Sequence, residues 1–195
     1  MRINPTLKLR SPLGKKGWVI RWQDTDDGES HTEPAAEEDL LALKIISEDM
    51  TPEEAALEAR VPIGVIDRAI WQAVDKGILI APPSLIKRPV ARVPKGAPDE
   101  LITAHVFTLQ WHITNACDLS CKHCYDRSKR SPLTLEKGKK ILRGLRDFCK
   151  AKHVSGNVCF TGGNPFLHPN FFELYKEAAD LGFGTSILGN PMTLR

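Results

Sequence analysis

The sequence predicts two domains of different fold class, an α+β domain followed by an α/β domain. The two halves of the 195-residue chain differ in charge. Residues 1–80 carry 10 Lys and Arg against 15 Asp and Glu, a net of −5, whereas residues 91–195 carry 15 against 9, a net of +6. Between them, prolines cluster in a segment that suits neither a helix nor a central strand. We therefore expect domains at 1–80 and 105–195, joined by a stiff linker at 81–104.

The composition is that of a folded protein outside the membrane. Hydrophobic residues make up 42% of the chain and charged residues 26%, which excludes a disordered or collagen-like chain. No apolar run is long enough to span a membrane, and the N-terminus lacks the apolar core of a signal peptide. A net charge of +3 requires neither a nucleic-acid partner nor a membrane. We therefore expect a cytoplasmic protein with neither partner.

Strand signals come first in the α+β domain. In residues 17–24 apolar and polar side chains alternate with the period of a half-buried strand, and residues 7–12 form a second candidate strand. The TDDGES run at 25–30 is typical of a turn. A small antiparallel sheet is therefore expected at the start of the chain.

Three helices are expected to follow this sheet. The first lies around residues 40–47, and the second begins at Thr51, where TPEE combines an N-cap, a proline at the first helical position and a capping-box glutamate. The third runs from Pro62 to Lys76 and is ended by Gly77. Together with the sheet, these helices predict a winged-helix-like domain over residues 1–80.

Such a domain has three interpretations. DNA binding by a helix-turn-helix is one, although the charges of the third helix sum to zero and phosphate binding needs an excess of Lys and Arg. A structural domain without a ligand is the second. The third rests on the strand-rich start, the three helices and a closing DKGIL at 75–79, which resemble the precursor-peptide recognition element of peptide-modifying enzymes, an element similar to the pyrroloquinoline-quinone peptide chaperone. This resemblance implies that a leader peptide adds a strand to the sheet edge. The net charge of −5 favours a neutral or basic leader segment.

Strands and helices alternate in the second domain, as a parallel sheet or barrel requires. The expected strands are 106–114, 157–161 and 184–190. The expected helices begin near Leu133 and Asn170. Cys117, Gly162 and Asn190 lie at or just after the strand ends, where ligands bind in such folds.

Three of the five cysteines lie within eight positions, immediately after the first of these strands. Their spacing is C-x3-C-x2-C, and they are Cys117, Cys121 and Cys124. Thiolates so close together repel one another and are normally held by a metal in a reducing compartment. With three ligands, a cubane cluster retains one iron with an open coordination position. Zinc completed by His123 or His112 is the alternative, although structural zinc sites usually draw on two separated pairs.

The cysteine motif, followed by Tyr125 and then by TGGNP at 161–165, resembles the radical S-adenosylmethionine (SAM) enzymes over residues 105–195. The resemblance implies the N-terminal part of a partial (β/α)6 barrel, with three strands and two helices in this sequence. It also implies that the three cysteines bind irons of a 4Fe–4S cluster and that S-adenosylmethionine chelates the fourth iron. The same resemblance suggests a low-potential electron donor as a partner.

The resemblance assigns further residues to the cofactor. Gly162, Gly163 and Asn164 would meet the methionine amino group of S-adenosylmethionine, Tyr125 would lie near its adenine, and Asn190 would lie at the same edge. Many family members have Glu or Asp in place of Asn164, so one charged contact to the ammonium would be neutral and weaker here. The runs FTGGNPFLHP and ILGNP resemble most closely the maturases of selenocysteine- or cysteine-containing precursor peptides.

Four other residues are expected to be structural. Cys149 and Cys159 fall on a helix stripe and inside a strand, where a small buried residue is the ordinary role. His112 and His168 are expected to be structural histidines, with proton donation or a cofactor contact as the alternative.

The resemblance as a whole implies an enzyme that modifies a ribosomally synthesised precursor peptide through a 5′-deoxyadenosyl radical, with the leader segment of that peptide as a partner. From His105 only 91 residues remain, against roughly 190 for a three-quarter barrel scaled from a complete one. We therefore expect a truncated chain, either a fragment or the product of a misassigned stop codon, without later strands or auxiliary clusters. The alternative is an inactive fragment that acts only as a peptide- or DNA-binding module.

Overall fold

The chain folds into two compact units, Met1–Pro83 and Ser84–Arg195. The structure is a computed structural model that describes residues 1–11, 17–25, 27–89, 93–124, 126, 128 and 130–190. The division falls inside the proline-rich segment of the sequence.

The first unit contains two small antiparallel sheets. Its strands are β1 (Arg2–Ile3), β2 (Lys8–Arg10), β3 (Val19–Gln23), β4 (Ser30–Pro34) and β5 (Leu79–Ile80). β2, β3 and β4 form a three-stranded antiparallel sheet in that order, and β1 pairs with β5. The sequence did not predict β4, because its residues SHTEP are mostly exposed and lack the apolar alternation that marks a half-buried strand.

Three helices complete the first unit. They are α1 (Glu37–Ser47), α2 (Pro52–Ala59) and α3 (Ile63–Asp75). The capping box at the start of α2 is confirmed, since the Thr51 hydroxyl accepts from the Glu54 amide at 3.2 Å and the Glu54 carboxylate accepts from the Thr51 amide at 2.8 Å. Gly77 follows α3 with a φ of +77°. The buried core joins the sheet to the helices through Ile20, Trp22, Ile45, Ile66, Ile70 and Leu79.

The second unit contains a parallel sheet. Its strands are β6 (Val106–Thr114), β7 (Ser155–Gly162) and β8 (Gly184–Ile187), which pair in chain order. Its helices are α4 (Asp99–Ile102), α5 (Leu135–Lys152) and α6 (Phe171–Asp180). β7 is longer than the predicted 157–161, and β8 is shorter than the predicted 184–190. The α/β class predicted for this half is therefore observed, with three parallel strands.

The two faces of this sheet differ in polarity. One face buries Trp111, Val158 and Phe160 with apolar side chains of α5 and α6. The opposite face lines an open groove of about 460 Å³. Among its lining residues are Thr108, Gln110, Asn157, Cys159, Ser186 and Leu188. A single layer of helices therefore covers the apolar face, and the mostly polar face is left open.

The segment predicted as a linker, 81–104, is largely part of the second unit. From Ser84 onward it belongs to that unit and contains α4. Two backbone bonds hold it together, from the Arg88 amide to the Ile102 carbonyl at 2.8 Å and from the Ala104 amide to the Ile86 carbonyl at 2.9 Å. Proline removes only its own amide, so the residues between the prolines still pair.

The apolar stripe of α5 is narrower than expected. Leu142, Leu145 and Cys149 are buried, but Ile141 and Phe148, which we expected in the same stripe, are 38% and 37% exposed. Phe148 packs against the Phe107 ring, with the ring centroids 4.8 Å apart. In the described part of the chain, no helix has the length and apolar character needed to cross a membrane.

Candidate functional site

The three cysteines of the motif lie on one loop, which we call the cysteine loop, residues 115–124. The loop begins where β6 ends, and the Thr114 hydroxyl accepts from the Ala116 amide at 3.1 Å to form its first turn. Cys124 donates its amide to the Cys121 carbonyl at 3.1 Å. All three cysteines are exposed. Their thiols are therefore accessible to a ligand.

The turn Gly162–Asn164, which we call the glycine turn, holds the start of the cysteine loop in place. Gly163 donates its amide to the Thr114 carbonyl at 2.8 Å, and Asn164 donates its amide to the Ala116 carbonyl at 2.7 Å. These two bonds continue the parallel pairing of β6 and β7 beyond the strand ends. The position of the first cysteine therefore depends on the glycine turn.

Both glycines are required by close backbone packing. A Cβ on Gly162 would lie 2.1 Å from the Thr114 carbonyl oxygen, and a Cβ on Gly163 would lie 2.2 Å from the Ala116 carbonyl oxygen. Gly162 also has a φ of +138°, a conformation that other residues rarely adopt. The sequence alone does not reveal why these two glycines are required, because the requirement comes from a contact between segments nearly fifty residues apart.

An acidic residue that the sequence analysis missed, Asp118, lies at the centre of this edge. Its Oδ1 accepts from the Asn164 Nδ2 at 3.1 Å and from the Asn190 Nδ2 at 2.8 Å. The Asn190 Nδ2 also lies 3.9 Å from the Cys117 Sγ. Hydrogen bonds from Asn190, and then from Asn164, lower the pKa of the Asp118 carboxyl below its ordinary value. Asp118 is therefore a carboxylate at neutral pH.

Asn164 is the buried member of the group formed by Asp118, Asn164 and Asn190. Its side chain is fully buried, and its Oδ1 accepts from the Phe166 amide at 3.3 Å, at the start of a 3-10 turn over Pro165–Leu167. The amide group therefore has its oxygen directed into the protein and its nitrogen directed to Asp118. The sequence signal that could have revealed Asp118 is its position directly after the first cysteine of the motif.

A second acidic group, Asp126, lies after the cysteine loop. Hydrogen bonds from Ser128 hold the pKa of its carboxyl well below the usual range, with the Arg130 cation as a smaller contribution. The His112 Nδ1 lies 3.8 Å from the Asp126 carboxylate. His112 therefore faces an acid, an arrangement compatible with both the structural role and the proton-donor alternative.

His168 and the two remaining cysteines lie apart from the loop. His168 is 3% exposed, and its Nδ1 accepts from the Asn170 amide at 3.1 Å, just before α6. Burial lowers the pKa of His168, partly opposed by the Leu133 carbonyl and the Glu173 carboxylate. Cys149 and Cys159 are buried, as the sequence predicted. Burial raises the pKa of the Cys149 thiol, which makes it a poor ligand.

The chemistry of the cysteine loop suits an iron–sulfur cluster. Three exposed thiols on one loop are the ligand set that such clusters use. Among the residues that the structure describes, no three His, Cys, Asp or Glu side chains are close enough together to hold a metal ion. This applies to the three cysteines of the loop as well as to the zinc alternative with His123 or His112, so the distances do not distinguish the two. Tyr125, predicted near the adenine, lies outside the described residues.

Comparison with known proteins finds a similarity for the second unit. Residues 111–195 match the sequence model of the Radical SAM superfamily. These 85 residues are less than half of the chain, and they are similar to the radical SAM domains. The match includes the cysteine loop, the glycine turn and Asn190. The name of the superfamily refers to S-adenosylmethionine, the cofactor that the sequence resemblance implied for this edge of the sheet.

The curated relatives of this domain are enzymes. The S-adenosylmethionine-dependent nucleotide dehydratase of Selenomonas ruminantium is 33% identical over 85 residues, which cover 43% of this chain and 30% of the relative. The PqqA peptide cyclase of Bradyrhizobium diazoefficiens is 32% identical over 87 residues, 42% of this chain and 21% of the relative. The chain spans less than a third of the length of these relatives.

Among solved structures, the chain is similar to Streptococcus suis SuiB bound to the precursor peptide SuiA. The identity is 18% and the TM-score 0.42, with 100% of this chain and 43% of the SuiB chain covered.

Proposed function

We propose that the chain is part of a radical SAM enzyme that modifies a ribosomally synthesised precursor peptide. In this proposal Cys117, Cys121 and Cys124 hold a 4Fe–4S cluster. The observation that carries the proposal is the pair of backbone bonds that join the cysteine loop to the glycine turn, with Asp118 held between Asn164 and Asn190 beside Cys117. These contacts bring a thiol, a carboxylate and two amide groups to one edge of the parallel sheet.

The residues at this edge have distinct roles in the proposal. The three thiolates bind iron, while the glycine turn fixes where the first thiolate lies. Asp118 supplies the negative charge for the amino group of S-adenosylmethionine, because Asn164, where many family members have an acid, is neutral and donates to Asp118. When bound, the cluster and S-adenosylmethionine supply a 5′-deoxyadenosyl radical that abstracts a hydrogen atom from the substrate.

A partial barrel completes the proposed site. β6, β7 and β8 would be its first three strands, with α5 and α6 on the outside and the open groove on the inside. The groove is lined by uncharged side chains such as Gln110, Asn157 and Ser186, which can hydrogen-bond a peptide backbone. A substrate that lies in this groove would reach the strand ends where the cysteine loop begins.

Two observations support a peptide as the substrate. One curated relative of the radical SAM domain is named a PqqA peptide cyclase. The first unit has the sheet and three helices that the sequence analysis compared with a peptide-recognition element, and β2 and β4 are the two edge strands of its three-stranded sheet. A leader peptide would bind there as an added strand through backbone hydrogen bonds.

Anaerobic reconstitution of the full chain with iron and sulfide tests the proposal. We expect bound iron, a broad visible charge-transfer band and binding of S-adenosylmethionine measured by calorimetry. A variant with alanine at the three loop cysteines should lose all three properties while its far-UV circular dichroism stays unchanged. Stoichiometric zinc without iron after anaerobic purification would refute the proposal.

A further inference from the structure

The charge of the first unit is divided sharply along the sequence. Residues 1–23 contain six Lys and Arg and no Asp or Glu, whereas residues 24–80 contain four Lys and Arg and 15 Asp and Glu. The net charge of −5 is therefore the sum of a basic N-terminal segment and an acidic helical part. A ligand that contacts only one of these parts experiences a charge very different from −5.

Three of the cations lie together on the outer face of the sheet β2-β3-β4. Lys8 pairs directly with Arg21 across the two strands, and Arg10 follows Lys8 by two residues on the same face. Side chains in direct cross-strand register have Cβ atoms about 5 Å apart. All three side chains are exposed, whereas Ile20 and Trp22 of the same strand point to the core. We call Lys8, Arg10 and Arg21 the basic face.

The basic face has no acid to balance it. In the part of the chain that the structure describes, none of these three side chains forms an ion pair or a hydrogen bond. The β4 residues that pair with the outer-face positions of β3 are Ser30, Thr32 and Pro34, which are uncharged. Like charges directly opposite one another destabilise a sheet. The arrangement therefore costs stability unless a negative ligand binds.

We propose that the basic face binds an acidic segment of the peptide substrate. The inference deepens the proposed function by giving the chemistry of the segment that the first unit recognises, and it rests on a peptide being the substrate. Two or three carboxylates spaced at alternate positions of an extended peptide match cations that are themselves two residues apart on a strand. The neutral or basic leader expected from the net charge is thereby replaced by a leader with an acidic stretch.

Nucleic acid is the other polyanion that could lie on these cations. Three cations on a small sheet face neutralise few phosphates. The neighbouring helices are rich in Asp and Glu, and these acids repel the remainder of a long polyanion. A short acidic peptide avoids this repulsion because its charge is confined to the basic face. The observations therefore favour a peptide.

Fluorescence anisotropy with the full chain tests the inference. The probe is a fluorescein-labelled peptide of six Thr-Glu repeats, and the same repeats with Gln in place of Glu are the uncharged comparison. The variant Lys8→Gln/Arg10→Gln/Arg21→Gln removes the basic face. The matched control, Lys44→Gln/Arg60→Gln/Arg68→Gln, removes the same charge from the helical part of the unit.

We expect the basic-face variant to bind the Glu peptide about tenfold more weakly, since each exposed ion pair is worth a factor of roughly 1.5 to 5. The control should bind within about twofold of the unmodified chain, and the Gln peptide should bind to none of the proteins. Thermal unfolding should show that the basic-face variant is at least as stable as the unmodified chain, because a repulsion has been removed.

Three results would overturn the inference. Equal weakening in both triple variants would show that only overall charge matters, and equal binding of the Gln peptide would show that carboxylates are not recognised. Tighter binding of a DNA duplex than of the Glu peptide, lost in the basic-face variant, would assign the face to nucleic acid. The measurement needs neither iron nor S-adenosylmethionine, so failure of cluster assembly and failure of this inference are distinguishable.

Discussion

Replacing Gly163 by alanine should detach the cysteine loop from the glycine turn. The added Cβ would lie 2.2 Å from the Ala116 carbonyl oxygen and 2.8 Å from the Asn115 carbonyl oxygen, and both neighbours are backbone atoms that cannot rotate away. Carbon and oxygen atoms need at least about 3 Å, so the loop must move by roughly 1 Å. The φ of Gly163 is not positive, so the effect is due to space rather than to backbone strain.

The expected loss follows from the bonds that this movement breaks. The Gly163–Thr114 and Asn164–Ala116 backbone bonds, at 2.8 and 2.7 Å, join the start of the loop to the turn, in addition to the side-chain bond from Asn164 to Asp118. At about 0.5 to 1.5 kcal/mol for each bond, the free energy of unfolding should fall by about 1 to 3 kcal/mol. Because the first cysteine follows Ala116 directly, iron binding should fall as well.

Gly144→Ala is the matched control. Gly144 lies in the exposed part of α5, and a Cβ there would have no atom within 4 Å. Alanine is a better helix former than glycine, so this variant should be about 0.5 to 1 kcal/mol more stable. Urea unfolding followed by circular dichroism measures the free energy of unfolding. The iron content per chain after anaerobic reconstitution shows whether the cysteine loop still binds iron.

One pattern of results would refute this reasoning. If Gly163→Ala and Gly144→Ala both kept the stability and the iron content of the unmodified chain, the glycine turn would not control the cysteine loop. If Gly163→Ala lost stability but kept its iron, the turn would support the fold without placing the thiols.

Three further variants test separate parts of the proposal. Asp118→Asn keeps the shape of the side chain but removes its charge. The reconstituted variant should bind S-adenosylmethionine about fivefold more weakly while its iron content stays unchanged. Equal affinity would exclude a charge contact between Asp118 and S-adenosylmethionine. Cys149→Ala should keep its iron and lose roughly 1 kcal/mol of stability, whereas loss of iron would make Cys149 a ligand. Burial lowers the pKa of His168 below its ordinary value of 6.5, so the unfolded chain binds the proton more tightly. The free energy of unfolding should therefore fall as pH drops below about 6.5, and should fall less in His168→Gln; equal slopes in urea titrations between pH 7.5 and 5.5 would contradict this.

Local patterns allowed the sequence to predict elements that depend on nearby residues. The capping box at Thr51 requires only four consecutive residues, and the cysteine motif needs only its spacing. β6 matches its predicted bounds because nine residues of β-branched, aromatic and other strand-forming types stand together. In these cases the physical cause of the structure is present within a few positions of the chain.

The sequence could not predict features whose cause lies far away along the chain. Asn4 is almost fully buried because its side chain donates to the Gln23 and Gly77 carbonyls, both at 2.9 Å, and one of these residues is 73 positions away. β4 forms because β3 offers it a pairing edge, and its own residues show no strand pattern. Asp118 becomes part of the candidate site only when Asn164 and Asn190 approach it from two other strand ends.

The contacts of Asp118 with Asn164 and Asn190 determine where negative charge lies at the candidate site. An acid in place of Asn164 would lie in a fully buried position, where a carboxylate is costly unless a cation is bound. Asp118 lies on the exposed loop instead, where solvent stabilises its charge and two amide groups orient it. The neutral residue is therefore buried and the charged residue is exposed, while both stay within one hydrogen bond of each other. In the proposed site, a charge placed in this way is present before the ammonium group of S-adenosylmethionine arrives, and its position depends on the same loop that carries the three cysteines.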